Sequence, residues 1–210
     1  MFKTETRYNI TVMEDKKDFL FRFISLEKRR TLKLDDEALY SVTDQYTADR
    51  ISKDILRVLP NIHKITDATA CIGGNTFSFS KYFSHVNAIE IDPIRYNYLT
   101  HNMHILETNN VHTYHGDLMI MCQQIDSDLI FIDPPWGGPE YKTKNTMDLF
   151  LSDIELSEVC EHIKHCTKYI AIKVPVNFNE NGFIEKTPFM KLIYKNQDLR
   201  KMHLLIFQVE

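Results

Sequence analysis

The sequence has few of the features that mark secreted, membrane-bound or strongly basic proteins. It has four cysteines in 210 residues, and their irregular spacing favours free thiols in a reducing compartment over a disulfide framework. No apolar run approaches the roughly 18–20 residues that a membrane-spanning helix needs. Charges are scattered through the N-terminal residues, where a signal peptide would be apolar. We therefore expect a soluble intracellular protein without a membrane partner.

Motifs for metals and for phosphate-rich cofactors are also scarce. Segment 160–166 contains two cysteines and two histidines, but its spacing matches no usual tetrahedral zinc pattern. We therefore predict no metal and expect a helix with two half-buried thiols there. Gly73 and Gly74 do not belong to a G-x-G-x-x-G sequence, and the chain has no Gly-Lys-Ser or Gly-Lys-Thr. A dinucleotide or a P-loop nucleotide is therefore not the expected cofactor.

The formal net charge of −4 argues against a protein that grips long nucleic acid through many phosphates, because such proteins are usually basic. We expect recognition of one nucleotide or of one end of a nucleic acid instead. The N-terminal third does contain basic residues, which form either a solvated face or a local binding patch. They are Lys16, Lys17, Lys28, Arg29, Arg30 and Lys33.

Strand-like and helix-like patterns alternate from residue 44 onward. Apolar runs predict seven strands, at 64–68, 86–91, 111–115, 129–132, 169–174, 189–195 and 201–209. Helices are predicted at 44–59, with Thr43 as N-cap, and from Pro93 onward, with Asp92 as the cap. Further helices are predicted at 76–83, 118–124 and 157–165. This order predicts an α/β fold with a seven-stranded, mostly parallel sheet, an antiparallel C-terminal strand and a small helical extension at residues 1–40.

Acidic residues follow the first three predicted strands, at the edge where an open α/β sheet binds its ligands. They are Asp67, Glu90 and Asp117. Glu90 can accept hydrogen bonds from both ribose hydroxyls, Asp117 from an adenine amine, and Asp67 from the amino group of a methionine moiety. The turn at Gly73 lets the backbone approach such a ligand closely. A single acid at such a place is most often a helix cap, but three in register predict S-adenosyl-L-methionine as cofactor.

The segment Asp133-Pro134-Pro135-Trp136 follows the fourth predicted strand. Its two prolines fix φ and remove two donors, which holds the Asp133 side chain and carbonyl in a set position. Two acceptors there can orient a planar amine toward a methyl donor, so that proximity supplies much of the rate, while Trp136 stacks on the base. We predict Asp133, Pro134 and Trp136 as the catalytic residues. The alternative is a rigid turn that carries a core tryptophan.

The longer string from Asp133 to Tyr141, DPPWGGPEY, resembles the signature of the trimethylguanosine synthases, which methylate the guanine N2 of a 7-methylated RNA cap. Shorter segments at 33–43, 67–76, 88–93 and 175–177 resemble other parts of that family. The resemblance implies a class I (Rossmann-like) methyltransferase domain at residues 41–210. It also implies that the extension at 1–40 contributes to substrate binding and that S-adenosyl-L-methionine is the cofactor.

The same resemblance implies roles for particular residues. Trp136 would stack on the cationic 7-methylguanine, and Asp133 would hold its amine. The other substrate-binding residues would be Lys16, Glu37, Pro175 and Asn177. The cofactor-binding residues would be Thr43, Asp67, Ala68, Gly73, Asn75, Glu90, Ile91, Asp117 and Asp133.

Two positions depart from the pattern of that family. Its members often have serine at the position of Asp133, which leaves adenine or a ribosomal RNA guanine open as a target. Val176 stands in place of a phosphate-binding arginine, so Lys142 or Lys144 would supply the triphosphate contact. We expect a short viral or protist member that acts as a monomer on capped RNA or a 7-methylguanosine nucleotide. Its product would be 2,7-dimethylguanosine or 2,2,7-trimethylguanosine.

Two alternatives stay open at the level of sequence. A DNA or RNA adenine-N6 methyltransferase, or a ribosomal RNA guanine-N2 methyltransferase, would retain the cofactor residues and the segment 133–136 but would not predict residues 137–141. A catalytically idle cap-binding or scaffold subunit would retain the methyltransferase fold, and failure to bind the cofactor would support this alternative. The sequence is compatible with the nucleus, the cytoplasm or a viral factory as its compartment.

Overall fold

A computed structural model describes residues 16–199 and 201–210 of the chain. The first fifteen residues of the predicted extension lie outside these ranges. The strands are β1 Lys64–Asp67, β2 His85–Glu90, β3 Val111–His115, β4 Leu129–Ile132, β5 Phe150–Leu151, β6 Ile154–Glu155, β7 Tyr169–Pro175, β8 Met190–Asn196 and β9 Met202–Val209. The helices are α1 Leu26–Thr31, α2 Ala38–Ser41, α3 Gln45–Val58, α4 Gly74–Tyr82, α5 Pro93–Ile105, α6 Leu118–Met121, α7 Leu156–Ile163 and α8 Glu180–Lys186. Residues 16–20 are also helical, and Gly138–Thr143 forms a 3-10 helix.

Seven of the strands form one sheet, in the order β3-β2-β1-β4-β7-β9-β8. Every pair is parallel except those that β9 makes with β7 and with β8. The prediction of a mostly parallel sheet with one antiparallel C-terminal strand is thus confirmed. The order reverses direction at β1, since β2 lies on one side of it and β4 on the other. Ligands of open α/β sheets bind at such a point, beyond the carboxyl ends of the strands.

Alternate residues of the sheet face two different layers of the core. In β4, Leu129 and Phe131 pack with α3 and α4, whereas Ile130 and Ile132 pack on the opposite face with α6 and α7. All four side chains are buried, which is the pattern of a central parallel strand covered on both sides. None of the helices in the described part of the chain has the length and apolar character that a bilayer crossing requires.

The N-terminal segment packs against α5 through a third apolar cluster. Leu20, Phe21 and Ile24 are buried in it beside Leu99 and Met103 of α5. The neighbouring Phe19 and Phe23 are exposed. The apolar side chains at residues 19–24 are therefore only partly buried.

Two contacts bring the same N-terminal segment close to the sheet edge. The buried Asn102 amide donates to the Lys33 and Ile72 carbonyls and accepts from the Lys33 N–H, at 2.8–3.0 Å. A Cβ on Gly74 would lie 2.8 Å from the carbonyl oxygen of Thr43, so only glycine lets these two backbones meet. Gly73 has φ +101° and packs on Met103. At both glycines, the space that a side chain would occupy is therefore filled by other protein atoms.

One predicted helix cap is wrong. The Asp44 side chain, not that of Thr43, accepts the hydrogen bond from the Thr47 N–H at the start of α3, at 3.3 Å. The Thr43 hydroxyl is engaged elsewhere, with Lys173 at 2.8 Å. The Asp92 cap of α5 is confirmed, because its carboxylate accepts from the Ile94 and Arg95 N–H groups and Pro93 occupies the first helical position.

Candidate active site

A cavity of about 860 Å³ opens at the carboxyl edge of the sheet, between the strand ends and the N-terminal segment. Ten of the predicted site residues line it: Lys16, Glu37, Thr43, Ala68, Glu90, Ile91, Asp117, Asp133, Pro134 and Trp136. The other predicted residues lie behind its wall or beside it: Asp67, Gly73, Asn75, Pro175 and Asn177. The volume is within the usual range for a site that encloses a small molecule.

Glu90, at the end of β2, presents a carboxylate that is fixed by two backbone donors. Its Oε2 accepts from the Cys71 N–H at 2.7 Å, and its Oε1 accepts from the Asp92 N–H at 2.9 Å. Burial raises the pKa of this carboxyl above its ordinary value, although the two hydrogen bonds act in the opposite direction. Each oxygen retains a lone pair. Glu90 can therefore accept from two neighbouring hydroxyl groups in the cavity.

Asp117 serves as the N-cap of α6 and also faces the cavity. Its Oδ1 accepts from the Met119 N–H at 2.9 Å, and its Oδ2 has no donor among residues 16–199 and 201–210. The capping role and a ligand role are therefore compatible in the same carboxylate. Ile91 and Leu118 supply apolar wall on either side of these two acids.

Asp67, at the end of β1, is buried behind the cavity wall. Its Oδ2 accepts from the Thr76 hydroxyl at 2.6 Å, and its Oδ1 has no partner in the described residues. Burial raises the pKa of Asp67 to about 7, with the nearby Asp133 charge as a smaller cause. The contact predicted between Asp67 and an amino group stays a prediction.

Asp133 is held in place by contacts that converge on one of its oxygens. Its backbone N–H donates to the Thr69 hydroxyl at 2.8 Å. Its Oδ2 accepts from Lys173 Nζ at 2.6 Å, from Asn75 Nδ2 at 3.2 Å and from Thr43 Oγ1 at 3.3 Å. No donor in the described part of the chain reaches Oδ1. The carboxylate therefore keeps one oxygen for a ligand.

Lys173 is a cavity-lining residue that the sequence analysis missed. It lies in β7, is 3% exposed, and lines the cavity beside Asp133. Lysine is almost never so deeply buried without a partner of opposite charge. Its place in the otherwise apolar run Tyr169–Pro175 was the available signal. A lysine inside a predicted central strand implies a nearby carboxylate, and Asp133 is that group.

Trp136 is one of the aromatic residues that line the cavity. Its ring meets Tyr141 edge to face at 5.2 Å between centroids, and Lys173 Nζ lies 5.2 Å from the indole centroid. The indole Nε1 is buried and has no partner among the described residues. Trp136 also packs against the apolar cluster of β4 and β7. It thus has a core contact as well as a face in the cavity.

Asn177 holds the loop that carries Trp136. Its Nδ2 donates to the carbonyls of Tyr141 and Lys144, both at 2.8 Å. Pro175 is paired with Met202 at the end of β7. These two residues, predicted to contact substrate, therefore support the loop and the sheet edge in the structure.

The N-terminal segment closes the other side of the cavity. Glu37 forms an ion pair with Arg95, which also contacts Asp35 at 3.3 Å. Lys16 lies 3.8 Å from the centroid of the Tyr40 ring, and burial lowers its pKa. Arg95 also lines the cavity and was not predicted. Its charge fixes the segment over the strand ends.

The segment 160–166 is part of α7 and the turn that follows. Cys160 is fully buried in the core, and burial raises the pKa of its thiol. The described residues contain no group of three or more side chains that could hold a metal ion.

Comparison with known proteins assigns the chain to a family. A family model described as RNA cap guanine-N2 methyltransferase matches residues 62–200. The uncharacterized protein L320 of Acanthamoeba polyphaga mimivirus is 29% identical over 218 residues, which covers 90% of this chain and 84% of that protein. The trimethylguanosine synthase of Schizosaccharomyces pombe is 32% identical over 153 residues, which covers 69% of this chain. The match spans 63% of the fission yeast protein, slightly less than two thirds of its length.

A solved structure supports the fold. The candidate methyltransferase yhhF from Escherichia coli superimposes with a TM-score of 0.55 at 18% identity, over 77% of this chain and 86% of that one. This likeness concerns the class I Rossmann-like methyltransferase fold alone. Since the family model matches more than half of the sequence, the chain belongs to the RNA cap guanine-N2 methyltransferase family.

Proposed function

We propose that this protein transfers methyl from S-adenosyl-L-methionine to the exocyclic N2 of 7-methylguanosine in RNA caps. The first product would be 2,7-dimethylguanosine, and a second transfer would give 2,2,7-trimethylguanosine. The observation that carries the proposal is the wall formed by Asp133 and Trp136, where a carboxylate with one unoccupied oxygen lies beside an aromatic face. This pair suits a flat base with an exocyclic amine.

The cofactor fits the acids on the β2 and β3 side of the cavity. Glu90, with a lone pair left on each oxygen, would accept from the ribose hydroxyls, and Asp117 would accept from the adenine amine through Oδ2. Ile91 and Ala68 would contact the nucleoside, and Thr43 would adjoin the methionine part. Asp67, Gly73 and Asn75 would support this site from behind the wall. When bound, the cofactor supplies an electrophilic methyl group on a sulfonium.

Asp133 and Trp136 would orient the acceptor nitrogen. Asp133 Oδ1 accepts a hydrogen bond from the N2 amine, which directs the nitrogen toward the methyl donor, and proximity then supplies much of the rate. The same carboxylate would stabilise the positive charge on nitrogen as the N–C bond forms and the S–C bond breaks. S-adenosyl-L-homocysteine would be the leaving group, and the methylated nitrogen would lose its extra proton to solvent. Stacking on Trp136 is stronger for the cationic 7-methylguanine than for neutral guanine. Substrate selection would therefore depend on the charge of the base.

Three lysines at the cavity would meet the cap triphosphate. Lys16, Lys142 and Lys201 all line it, from the N-terminal segment, the 3-10 helix and the residue before β9 respectively. Three cations around one opening suit a short, highly charged bridge better than a long nucleic acid. We propose capped RNA or a cap nucleotide as the partner and a monomer as the active form.

The test is transfer of labelled methyl from S-adenosyl-L-methionine to 7-methyl-GTP, with GTP, ATP and an unmethylated oligonucleotide in parallel. We expect transfer to 7-methyl-GTP alone, and mass analysis of the product reports one or two added methyl groups. Transfer only to the oligonucleotide would replace the proposal with a nucleic-acid methyltransferase. No transfer to any acceptor, with the cofactor bound, would favour an idle subunit or a missing partner over the proposal.

A further inference from the structure

The buried pair of Lys173 and Asp133 is the only buried lysine–carboxylate pair among the ion pairs of the described residues. The two side chains are 4% and 11% exposed, and Nζ lies 2.6 Å from Oδ2. Burying two charges costs solvation free energy, so such a pair is seldom the most stable solution for a core. A pair retained at the wall of a binding cavity therefore calls for a role in binding or reaction.

Two groups besides Asp133 touch the Lys173 ammonium. The Thr43 hydroxyl accepts from it at 2.8 Å and itself donates to Asp133 Oδ2, which closes a triangle of contacts around that oxygen. On another side, the ammonium lies 5.2 Å from the centroid of the Trp136 ring. Lys173 thus contacts both groups that would hold the base.

We propose that Lys173 is a positioning residue that orients the Asp133 carboxylate and sets the charge preference of the Trp136 stacking site. This inference rests on the proposed function. By occupying Oδ2, Lys173 turns Oδ1 toward the acceptor amine. Its positive charge repels any cation that stacks on the same indole.

The net charge of the Lys173–Asp133 pair determines how strongly the site attracts a cationic base. Together, the Lys173 ammonium and the Asp133 carboxylate have no net charge, so Trp136 can attract a 7-methylated guanine without opposition. If the carboxylate is removed, the unpaired ammonium repels the cationic base but acts much less on neutral guanine. If the ammonium is removed, the carboxylate favours the cation. The two single changes should therefore shift the preference in opposite directions.

This opposition separates a charge-setting role from a merely structural one. A change that only loosens the wall lowers the affinity for both nucleotides by the same factor. A charge effect instead changes the ratio of their dissociation constants. Trp136 is the only tryptophan of the chain, so quenching of its fluorescence reports stacking directly, even in variants that have lost turnover.

The experiment measures the dissociation constants of 7-methyl-GTP and GTP by tryptophan quenching in four proteins: the wild type, Asp133→Asn, Lys173→Met and the double variant. We expect the wild type to prefer 7-methyl-GTP. Asp133→Asn should lower that preference about tenfold, as expected for charges several ångströms apart in a partly desolvated site. Lys173→Met should raise it, and the double variant should return to within about threefold of the wild type.

Lys195→Met is the matched control, because Lys195 forms an ion pair with Glu180 at the same 2.6 Å distance but is more exposed and lies away from the cavity. It should leave the preference unchanged. If Lys173→Met does not fold, Lys173→Arg replaces it and should keep the wild-type preference while Asp133→Asn loses it.

Three outcomes separate the two proposals. An equal loss of affinity for both nucleotides in Asp133→Asn and Lys173→Met would overturn the role of Lys173 alone. Quenching by neither nucleotide in the wild type would overturn the proposed function and this role with it. Opposite shifts of the nucleotide preference in the two single variants, with the wild-type preference restored in the double variant, would establish the role of Lys173.

Discussion

The β2–β3 side of the cavity and its β4–β7 side are held by different kinds of contact. On the first side, Glu90 and Asp117 each accept from the backbone N–H two residues ahead, and Glu90 also accepts from the Cys71 N–H. On the second side, Asp133 Oδ2 is held by side chains 40, 58 and 90 residues away in sequence. One side is largely assembled locally, whereas the other needs the whole fold.

The difference also concerns charge. The β2–β3 side is held by neutral backbone groups, so its two carboxylates bring net negative charge to the cavity. On the β4–β7 side, the Asp133 carboxylate is paired with the Lys173 ammonium, so this pair brings none. We infer that the first side suits hydroxyls, amines and a cationic cofactor, and that the second can be tuned by changing either member of its pair.

The largest effect is expected at the β4–β7 side from Trp136→Ala. Loss of base stacking should reduce methyl transfer to 7-methyl-GTP by at least about 100-fold, since one stacked base contributes about 1–3 kcal/mol and the acceptor also loses its orientation. Binding of S-adenosyl-L-methionine, measured by calorimetry, should stay within about twofold of the wild type. Trp136→Phe is the control and should retain part of the activity. Unchanged turnover in the alanine variant would remove the stacking role.

A smaller effect is expected at the β2–β3 side from Glu90→Gln. The amide NH2 of the glutamine would face a backbone N–H that donates to the carboxylate in the wild type. One acceptor for the ribose hydroxyls would also be lost. We expect the dissociation constant for S-adenosyl-L-methionine to rise about tenfold, while quenching of Trp136 by 7-methyl-GTP is preserved. Glu107→Gln is the control, because Glu107 is an exposed partner of Lys28 outside the cavity wall. An equal loss of affinity for S-adenosyl-L-methionine and for 7-methyl-GTP would mean that the two sides of the cavity are not independent.

Stability of the fold, and not ligand affinity, is the property expected to change at the buried Asp67, behind the junction of the two sides. Burial raises its folded pKa to about 7 from an ordinary value of 3.8. Between these values the folded state holds a proton that the unfolded state lacks, so the free energy of unfolding should fall by about 1.4 kcal/mol per pH unit as pH rises, and level off above pH 7. Asp67→Asn should remove this slope in denaturant titrations at pH 5, 6 and 7. An identical slope in both proteins would contradict the assignment.

Much of the fold could be predicted from periodicity and turn chemistry. The bounds predicted for β3 and β4 match the structure, and the cap and proline that open α5 are confirmed. The helical character of the N-terminal extension is confirmed, although the bounds of α1 and α2 were not predicted. The other short elements were missed: α8, the β5–β6 hairpin and the 3-10 helix. Elements of a few residues gain little from local propensity and depend on the tertiary contacts around them. Thr43 was misassigned as a cap because its hydroxyl has stronger partners across the cavity.

The sequence by itself determined the alternation that builds the sheet, the acids that end its strands, and the rigid turn from Asp133 to Trp136, because each depends on neighbouring residues in the chain. Only the tertiary structure decided that Lys173, Asn75 and Thr43 converge on one oxygen of Asp133. The physical reason is that a buried charge takes whichever partner the packed fold brings within about 3 Å, and sequence distance does not limit that choice.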